Sequence, residues 1–145
     1  MSVYQCSVCG HIELKGEPEK CLVCRAPQSA FQAAPDALKR AADPASPTEA
    51  EQKHIPKIVV VPDCGLLDDC TDVHVKVGEI PHVMTPEHYI SYIDAYINEE
   101  FVSRIWLSPA GCNAAAGLHL KASTGKFTAI EHCNQHGNWI AEVEL

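Results

Sequence analysis

The chain has 145 residues, of which 46% are hydrophobic and 21% are charged, and its formal net charge at pH 7 is -8. This length allows one ordinary domain, or a domain of about 100 residues joined to a small module. No stretch approaches the roughly 18 consecutive apolar residues of a membrane span. The acidic balance argues against nucleic acid or an anionic membrane as a partner, because phosphate groups are bound by clustered Lys and Arg.

Eight Cys and eight His stand out in this composition. The first residues show no basic region followed by an apolar run, so we expect no secretory signal and a cytoplasmic location. In a reducing cytoplasm, cysteines are more often metal ligands or redox groups than structural disulfides. The composition therefore indicates a metalloprotein.

The first 32 residues hold four of the eight Cys and little apolar material. A piece of this size cannot build its own core, so a metal must hold it together. Two chelating turns supply the donors, because four sulfurs in two Cys-x-x-Cys pairs complete a tetrahedral set. These are Cys6, Cys9, Cys21 and Cys24. Tetrahedral sulfur suits either Zn or a single Fe, and the spacing does not separate them.

Residues 33–50 are rich in Ala and Pro, and they predict a linker between the module and the rest of the chain. Three prolines, at positions 35, 44 and 47, forbid a continuous helix. We expect only a short helix over residues 36–42, with Asp36 as its cap.

Residues 51–145 change to short β-branched and aromatic runs separated by Gly, Pro, Asn and Asp. Alternation with period two indicates an antiparallel β-sandwich. The predicted strands are 55–61, 73–77, 101–107, 117–122, 127–131 and 139–145. The segment 88–98 fits both a helix and a strand, and its Ile and Tyr content favours a strand.

The second half also contains a set of four His and one Cys in the order His…His-x5-His…Cys-x2-His. The set comprises His54, His82, His88, Cys133 and His136. Imidazole and thiolate together are plausible ligands for one transition metal, but each His alone fits an ordinary solvated or hydrogen-bonded side chain. Spacing alone leaves both interpretations open.

The amino-terminal segment Tyr-Gln-Cys-Ser-Val-Cys-Gly, with the later Cys-Leu-Val-Cys-Arg-Ala-Pro, resembles the rubredoxin-like module of rubrerythrins. The resemblance implies one redox-active iron at the four Cys, with Zn as the alternative. Arg25 stands where that family commonly has Gly, so we expect either a positive φ at a cost or a reshaped turn. A nucleic-acid-binding zinc ribbon is disfavoured, because the basic and acidic residues of this module balance.

Three segments of the second half resemble the desulfoferrodoxin and superoxide reductase family: Lys-His-Ile-Pro at 53–56, Pro-His-Val-Met-Thr-Pro-Glu-His at 81–88 and Cys-Asn-Gln-His-Gly-Asn-Trp at 133–139. The resemblance implies an immunoglobulin-like β-sandwich with a mononuclear iron, and it makes 88–98 a strand. The implied axial ligand is Cys133, and the implied equatorial ligands are His54, His82, His88 and His136. The sixth position would be open for superoxide, which would leave as hydrogen peroxide.

Lys53 precedes the first of these His, as in the family, where a lysine beside the site attracts the anion and helps to orient water for protonation. The family commonly places a Glu just before that Lys, where it can occupy the sixth position of oxidised iron. Here Gln52 stands at that place and Glu51 lies one residue earlier. Gln is neutral and a weaker ligand, so we predict an oxidised site that is bound by solvent or only loosely capped.

These observations predict a superoxide reductase that takes electrons from an external donor, such as rubredoxin or a related reductase, through the rubredoxin-like centre. The family implies a homodimer. A non-catalytic iron protein that transfers electrons is the alternative. A thiol enzyme built on Cys133 and His136 is disfavoured, because no oxyanion motif accompanies them.

Three cysteines have no place in either centre: Cys64, Cys70 and Cys112. The first two lie in what looks like an insertion between the first two ligand segments. A redox disulfide or an accessory metal site is open for this pair, although incidental loop thiols are favoured.

Overall fold

Eleven short strands, one α-helix and one 3-10 turn make up the regular structure of residues 2–145, the part of the chain that the computed structural model describes. The strands are β1 (Tyr4–Cys6), β2 (Ile12–Glu13), β3 (Phe31–Ala33), β4 (Leu38–Lys39), β5 (Pro56–Val61), β6 (Thr71–Val77), β7 (Ile90–Ile97), β8 (Glu100–Trp106), β9 (Ala115–Leu120), β10 (Lys126–Cys133) and β11 (Gly137–Glu144). The helix α1 spans Glu49–His54, and the 3-10 turn spans Gln28–Ala30. Within these residues, no helix is long and apolar enough to cross a membrane.

The amino-terminal module is a three-stranded antiparallel sheet in the order β2-β1-β3. Its own core consists of little more than Cys6, Cys21 and the ring of Phe31. So small a core buries too little apolar surface to order the module by itself. The four Cys therefore lie where a metal would supply the missing stability.

Two sheets form a β-sandwich, with the strand orders β4-β11-β10-β7-β8 and β5-β6-β9. All pairs are antiparallel except the short contact of β4 with β11. In β6, Val73, Val75 and Val77 are buried between the sheets, and His74 and Lys76 face outward. The predicted fold class, mainly β with a metal module and a sandwich, is confirmed.

The ambiguous segment 88–98 is a strand, β7, as predicted. Its pattern was ambiguous because both of its faces are covered. Ile93 and Ala95 pack between the two sheets, while Tyr96 packs against Ile12 and Leu14 of the amino-terminal module. A strand buried on both faces loses the alternation of polar and apolar residues.

The predicted helix over residues 36–42 is wrong. Leu38 and Lys39 instead form β4, which pairs in parallel with Asn138 and Trp139 of β11. Pairing with the sandwich edge satisfies backbone groups that a short exposed helix would leave to water, so tertiary contacts override the local preference.

The helix α1 was missed by the sequence analysis, because the prolines around it indicated a linker. Thr48 caps it: the Thr48 hydroxyl accepts from the Glu51 N–H at 3.2 Å, and the Glu51 carboxylate accepts from the Thr48 N–H at 2.8 Å. This capping box, Thr-x-x-Glu, was present in the sequence as a signal for a helix start.

The module and the sandwich meet at a buried ion pair on the outer face of β7 and β8. Arg104 donates to the two Asp94 carboxylate oxygens at 2.6 and 2.8 Å and to the Cys9 carbonyl at 2.9 Å. Both charged side chains are at most 3% exposed. Each partner neutralises the other, so removal of either one would leave an uncompensated buried charge.

The imidazole of His11 fills the rest of this junction. It contacts Glu13 at 2.7 Å and Asp94 at 3.3 Å. Burial alone would lower the pKa of His11, but the hydrogen bonds to these two carboxylates outweigh burial and raise the pKa. The sandwich therefore contacts the loop that carries Cys9 through fixed hydrogen bonds rather than through a flexible tether.

Candidate metal centres

The four amino-terminal Cys meet in one cluster, with all sulfur atoms within 4.8 Å of one another. Cys6 and Cys24 have their Sγ atoms 3.7 Å apart, and those of Cys9 and Cys21 are 3.5 Å apart. A tetrahedral ion with metal–sulfur bonds of about 2.3 Å separates its sulfurs by about 3.8 Å. The cluster therefore has the dimensions of a closed four-sulfur site.

The two Cys-x-x-Cys turns of this site have the same backbone form. Each is followed by a residue of positive φ, 80° at Gly10 and 68° at Arg25. Arg25 thus adopts the left-handed conformation, the first of the two expected outcomes, and as a non-glycine residue it does so at a cost. The N–H groups of Val23 and Cys24 point at the Cys21 Sγ at 3.4 and 3.5 Å, as donors do around a metal-bound thiolate.

The four His of the second set form a square of rings. Neighbouring ring centres are 4.6 to 5.0 Å apart around the order His54, His82, His88, His136. The diagonal from His54 to His88 is 6.4 Å. A metal ion at the middle of the square would lie half a diagonal from each ring centre. That length accommodates a metal–nitrogen bond of about 2.1 Å plus the distance from the bonded nitrogen to its ring centre. The square is thus wide enough for one transition metal at its middle.

Cys133 lies beneath the square. Its sulfur is fully buried, 3.6 Å from the His82 Nε2 and 3.7 Å from the His136 Nδ1. The ligating atoms of His54, His88, Cys133 and His136 lie within 4.8 Å of one another. All five residues predicted for the second centre are therefore brought together.

The nitrogen atoms that face the middle of the square fit a metal ion. The Nδ1 atoms of His54 and His82 each lie 2.7 Å from a backbone carbonyl oxygen, of Ala50 and Val83, so the Nε2 atoms are left as acceptors. The Nε2 atoms of His54 and His88 are buried and have no hydrogen-bond partner among the described residues. Buried polar nitrogens without partners are costly, and a bound cation would satisfy them.

The protonation of the centre also suits a metal. Burial lowers the pKa of His82 to about 4, and it lowers the pKa of His54 and His88 below the ordinary value. These imidazoles are therefore neutral near pH 7, as ligation requires. Burial raises the pKa of the Cys133 thiol, but coordination to a cation deprotonates a thiol outright.

Three separate segments position the five side chains. His54 ends α1, His82 and His88 lie in the loop between β6 and β7, and Cys133 and His136 lie at the turn between β10 and β11. Hydrogen bonds join the last two segments: the side chains of Asn134 and Gln135 donate to the Glu87 carbonyl at 3.0 and 2.7 Å, and the Tyr89 N–H donates to the Asn134 side chain at 2.9 Å. These hydrogen bonds between the β6–β7 loop and the β10–β11 turn fix the segments that carry four of the five side chains.

One side of the square opens into a cleft. The cleft has a volume of about 380 Å³, and its lining besides three of the His consists of Lys39, Glu49, Ala50, Lys53 and Trp139. Lys53 forms an ion pair with Glu49 at 2.9 Å, and the Lys39 Nζ donates to the His136 carbonyl at 2.7 Å. Two lysines against one glutamate leave the mouth positive in a chain of net charge -8. Such a local field acts within about 8 Å in physiological salt.

Of the three residues predicted beside the site, only Lys53 lies in the cleft. The Glu51 carboxylate accepts from the Thr48 and Ala42 N–H groups at 2.8 and 3.0 Å at the start of α1. Gln52 turns to the other side of the helix, where its side chain donates to the Pro47 carbonyl at 3.1 Å. Neither side chain faces the square, and the loosely capped oxidised site stays a prediction.

Besides Ala50, three cleft residues were missed by the sequence analysis. Glu49 stands four residues before Lys53, a spacing that pairs opposite charges once α1 is recognised. The ring of Trp139 stacks on His54, with ring centres 5.0 Å apart. Lys39 had no signal in the sequence, because only the pairing of β4 with β11 brings it to the site.

The remaining cysteines lie away from both centres. Cys112 is half-buried between β8 and β9, where it packs against the sandwich core. Cys64 and Cys70 lie together beyond the far end of β5.

Comparison with known proteins gives two matches along the chain. Residues 46–142 match the family model for desulfoferrodoxin, and residues 4–32 match the rubredoxin-like domain of rubrerythrin. The superoxide reductase of Pyrococcus horikoshii is 34% identical over 105 residues, which cover 65% of this chain and 88% of that protein. The desulfoferrodoxin of Desulfarculus baarsii is 29% identical over 144 residues, covering 98% of this chain and 96% of its own.

Solved structures agree with these matches. A superoxide reductase from Nanoarchaeum equitans is 28% identical, with a TM-score of 0.57 over 68% of this chain and 97% of its own. The superoxide reductase from Treponema pallidum shares the fold over 97% of this chain and 99% of its own, with a TM-score of 0.61 at 22% identity. The donor sets of the two centres, four Cys and His4Cys, match the iron sites of this family. The chain therefore belongs to the desulfoferrodoxin family and has a rubredoxin-like domain of the rubrerythrin type at its amino terminus.

Proposed function

We propose that this protein is a superoxide reductase, which joins one superoxide anion, one electron and two protons into one hydrogen peroxide molecule. The observation that supports this most directly is a square of four imidazoles above a buried thiol, open on one side to a positively charged cleft. A closed structural site has no open side, so this arrangement is typical of a reactive centre.

The proposed ligands of the reactive iron are His54, His82, His88, Cys133 and His136. An Fe2+ ion held there would supply the electron, and the thiolate opposite the open side would raise its tendency to give that electron away. Zn2+ is redox-inactive and could not do so. The four amino-terminal Cys are proposed to hold a second iron, with Zn as the alternative that metal analysis decides.

The side chains of the cleft are proposed to bring in and orient the substrate. Lys53 attracts the anion to the open side and orders the water that delivers protons. Lys39 adds to the same field, and through its bond to the His136 carbonyl it also holds the loop of one ligand. A cleft of about 380 Å³ is far larger than a diatomic anion, so charge rather than shape selects the substrate.

The domain division that we propose follows these roles: a rubredoxin-like module at residues 1–32, a linking segment at 33–50 and the reactive sandwich at 51–145. Electrons are proposed to come from an external donor such as rubredoxin or a related reductase, with the amino-terminal centre as their entry. Two of its sulfurs, on Cys9 and Cys24, are only half-buried and offer an edge to such a donor. We further propose a homodimer that works in the cytoplasm, whose reducing conditions keep the eight cysteines out of disulfides and available as ligands.

Rapid mixing of the reduced, iron-loaded protein with superoxide tests the proposal. We expect one hydrogen peroxide per superoxide and no dioxygen, and an iron-loaded Cys133→Ser variant should lose most of the rate. Cys112→Ser is the matched control, because it changes a cysteine outside both centres. Unchanged superoxide consumption by Cys133→Ser would overturn the proposal. A parent protein that exchanges electrons with a donor but consumes no superoxide would be an electron-transfer protein instead.

A further inference from the structure

A third group of ligating side chains lies at the opposite end of the sandwich from the cleft. Asp72 and His119 stand directly opposite each other on β6 and β9. Cys70 immediately precedes β6, and Cys64 lies in the loop that follows β5. One sulfur, nitrogen or oxygen atom from each of the four residues lies within 4.8 Å of the other three.

The distances in this group are close to those of a tetrahedral site. The Cys70 Sγ is 3.5 Å from the His119 Nδ1 and 3.7 Å from the Asp72 Oδ1. Ligands bound at about 2.0 to 2.3 Å in a tetrahedron are separated by about 3.3 to 3.8 Å. The Asp72 Oδ1 and the His119 Nδ1 are 2.6 Å apart, a hydrogen-bond distance that would open by less than about 1 Å around an ion.

We propose a third metal site, for a divalent cation of the zinc class, formed by Cys64, Cys70, Asp72 and His119. Two thiolates exclude Mg2+ and Ca2+, which prefer oxygen ligands, whereas two sulfurs, one imidazole and one carboxylate are all ligands that Zn2+ accepts. In the absence of an ion, the single His119 Nδ1 faces both a sulfur and a carboxylate oxygen. The Cys70 thiol donates to the same Asp72 oxygen, so two donors converge on one acceptor, whereas a cation among the three groups would be bound by all of them at once.

The loop around Cys64 repeats a feature of the four-Cys site. The Leu66 N–H points at the Cys64 Sγ at 3.3 Å, just as the Val23 N–H points at the Cys21 Sγ at 3.4 Å. An N–H from two residues downstream stabilises a thiolate. The Cys64 N–H also donates to the Cys70 carbonyl at 3.3 Å, which closes the loop and brings the two thiols together.

The third site is separate from the reactive one. His54 lies just before β5 and the proposed site lies just after it, so the six residues of β5, at about 3.3 Å each, keep the two apart by roughly 20 Å. The surroundings favour a cation, because Asp63, Asp68 and Asp69 line the nearby surface with only Lys121 among them. An ion here would clamp the loop at 62–70 to β6 and β9.

Zinc uptake by the full chain tests this inference independently of superoxide chemistry. The iron-loaded protein is equilibrated with Zn2+ under a phosphine reductant without oxygen, freed of excess metal, and analysed for Zn and Fe per chain. We expect the parent to retain one Zn2+ more than Cys64→Ser and His119→Gln do, at equal Fe content. Co2+ in place of Zn2+ should give thiolate charge-transfer absorption that both variants lack.

Cys112→Ser is the matched control and should retain the same zinc as the parent. His119 is 48% exposed at its side chain, so His119→Gln should fold normally and keep the result interpretable if Cys64→Ser does not. Equal zinc content in the parent and in His119→Gln would overturn the inference. A Cys64–Cys70 disulfide that persists under the reductant, with no zinc uptake, would overturn it as well.

Discussion

The two iron centres of this protein are built in opposite ways. The four-Cys site comes from two short turns within the first 24 residues, and each turn orients its own pair of sulfurs. The His4Cys site takes its ligands from three segments between His54 and His136, joined only by the sandwich and by loop-to-loop hydrogen bonds. The first therefore depends on its metal for stability, whereas the ligands of the second are brought together by the fold of the sandwich.

The two donor sets also differ in charge. Four thiolates leave an Fe2+ centre with a formal charge of -2, whereas four neutral imidazoles and one thiolate leave it at +1. An anionic substrate is repelled by the first and attracted by the second. The lysines of the cleft reinforce this difference at the reactive centre.

The largest effect is expected from the loss of one sulfur in the four-Cys site. Cys21→Ser should leave residues 4–32 unfolded, because the metal contributes roughly 10 to 16 kcal/mol in comparable small modules and the apolar core there is minimal. Limited proteolysis should digest the module and spare the sandwich. Cys112→Ser should digest like the parent, and a protease-resistant module in Cys21→Ser would show that its own packing is sufficient.

The buried ion pair between the two regions is the next test. Arg104→Met should lower the free energy of unfolding of the sandwich by about 3 to 5 kcal/mol, because it leaves the Asp94 carboxylate buried with only the His11 imidazole beside it. Urea denaturation followed by Trp fluorescence measures this. The double variant Arg104→Met with Asp94→Leu should recover much of the lost stability. A double variant that is as unstable as Arg104→Met alone would contradict this explanation.

The cleft charge predicts a smaller, kinetic effect. Lys53→Ala should lower the second-order rate with superoxide by about tenfold at low salt, and the difference should shrink as salt is added. Lys57→Ala is the control, since Lys57 is a half-exposed lysine on β5 paired with Glu79 outside the cleft. An equal loss in both variants would indicate a general charge effect rather than a local one.

The capping box at the start of α1 predicts that the free energy of unfolding depends on pH. Hydrogen bonds from the Thr48 and Ala42 N–H groups lower the pKa of the Glu51 carboxyl. A lowered pKa means that Glu51 stabilises the fold above its unfolded pKa and that this contribution is lost as the pH falls through the folded pKa. Glu51→Gln should therefore lower the urea midpoint at pH 7, and the difference from the parent should vanish in acid. Glu49→Gln, at the exposed start of the helix, should show little effect on the midpoint.

The smallest effect on stability concerns the second Cys-x-x-Cys turn of the four-Cys site. Arg25→Gly should stabilise the loaded module by about 0.5 to 1 kcal/mol, because glycine adopts a φ of 68° without strain. Glu19→Gly, at a nearby position without positive φ, should destabilise it instead. Thermal unfolding of the two loaded variants distinguishes them, and equal shifts would show that the turn stores no strain.

The sequence was most informative where the ligands of one centre are close together along the chain. Cys-x-x-Cys pairs fix their geometry within four residues, so the first centre could be predicted. The positive φ of Arg25 was one of the two outcomes expected there. The ligands of the second centre were found because their segments resemble a known family. Lys39 could not be found, because it reaches the cleft through pairing with a strand almost 100 residues later. The same pairing explains why the predicted helix over 36–42 was wrong.

The short parallel contact of β4 with β11 also sets where this protein can be cut. A truncation at residue 50, at the end of the proposed linking segment, would remove Lys39 together with the contact of Arg40 with Glu142. A sandwich that keeps its whole cleft must therefore begin before Leu38. If the rubredoxin-like module is exchanged for another electron-transfer domain, the new domain should be joined near residue 34. The donor then changes while the reactive cleft stays intact.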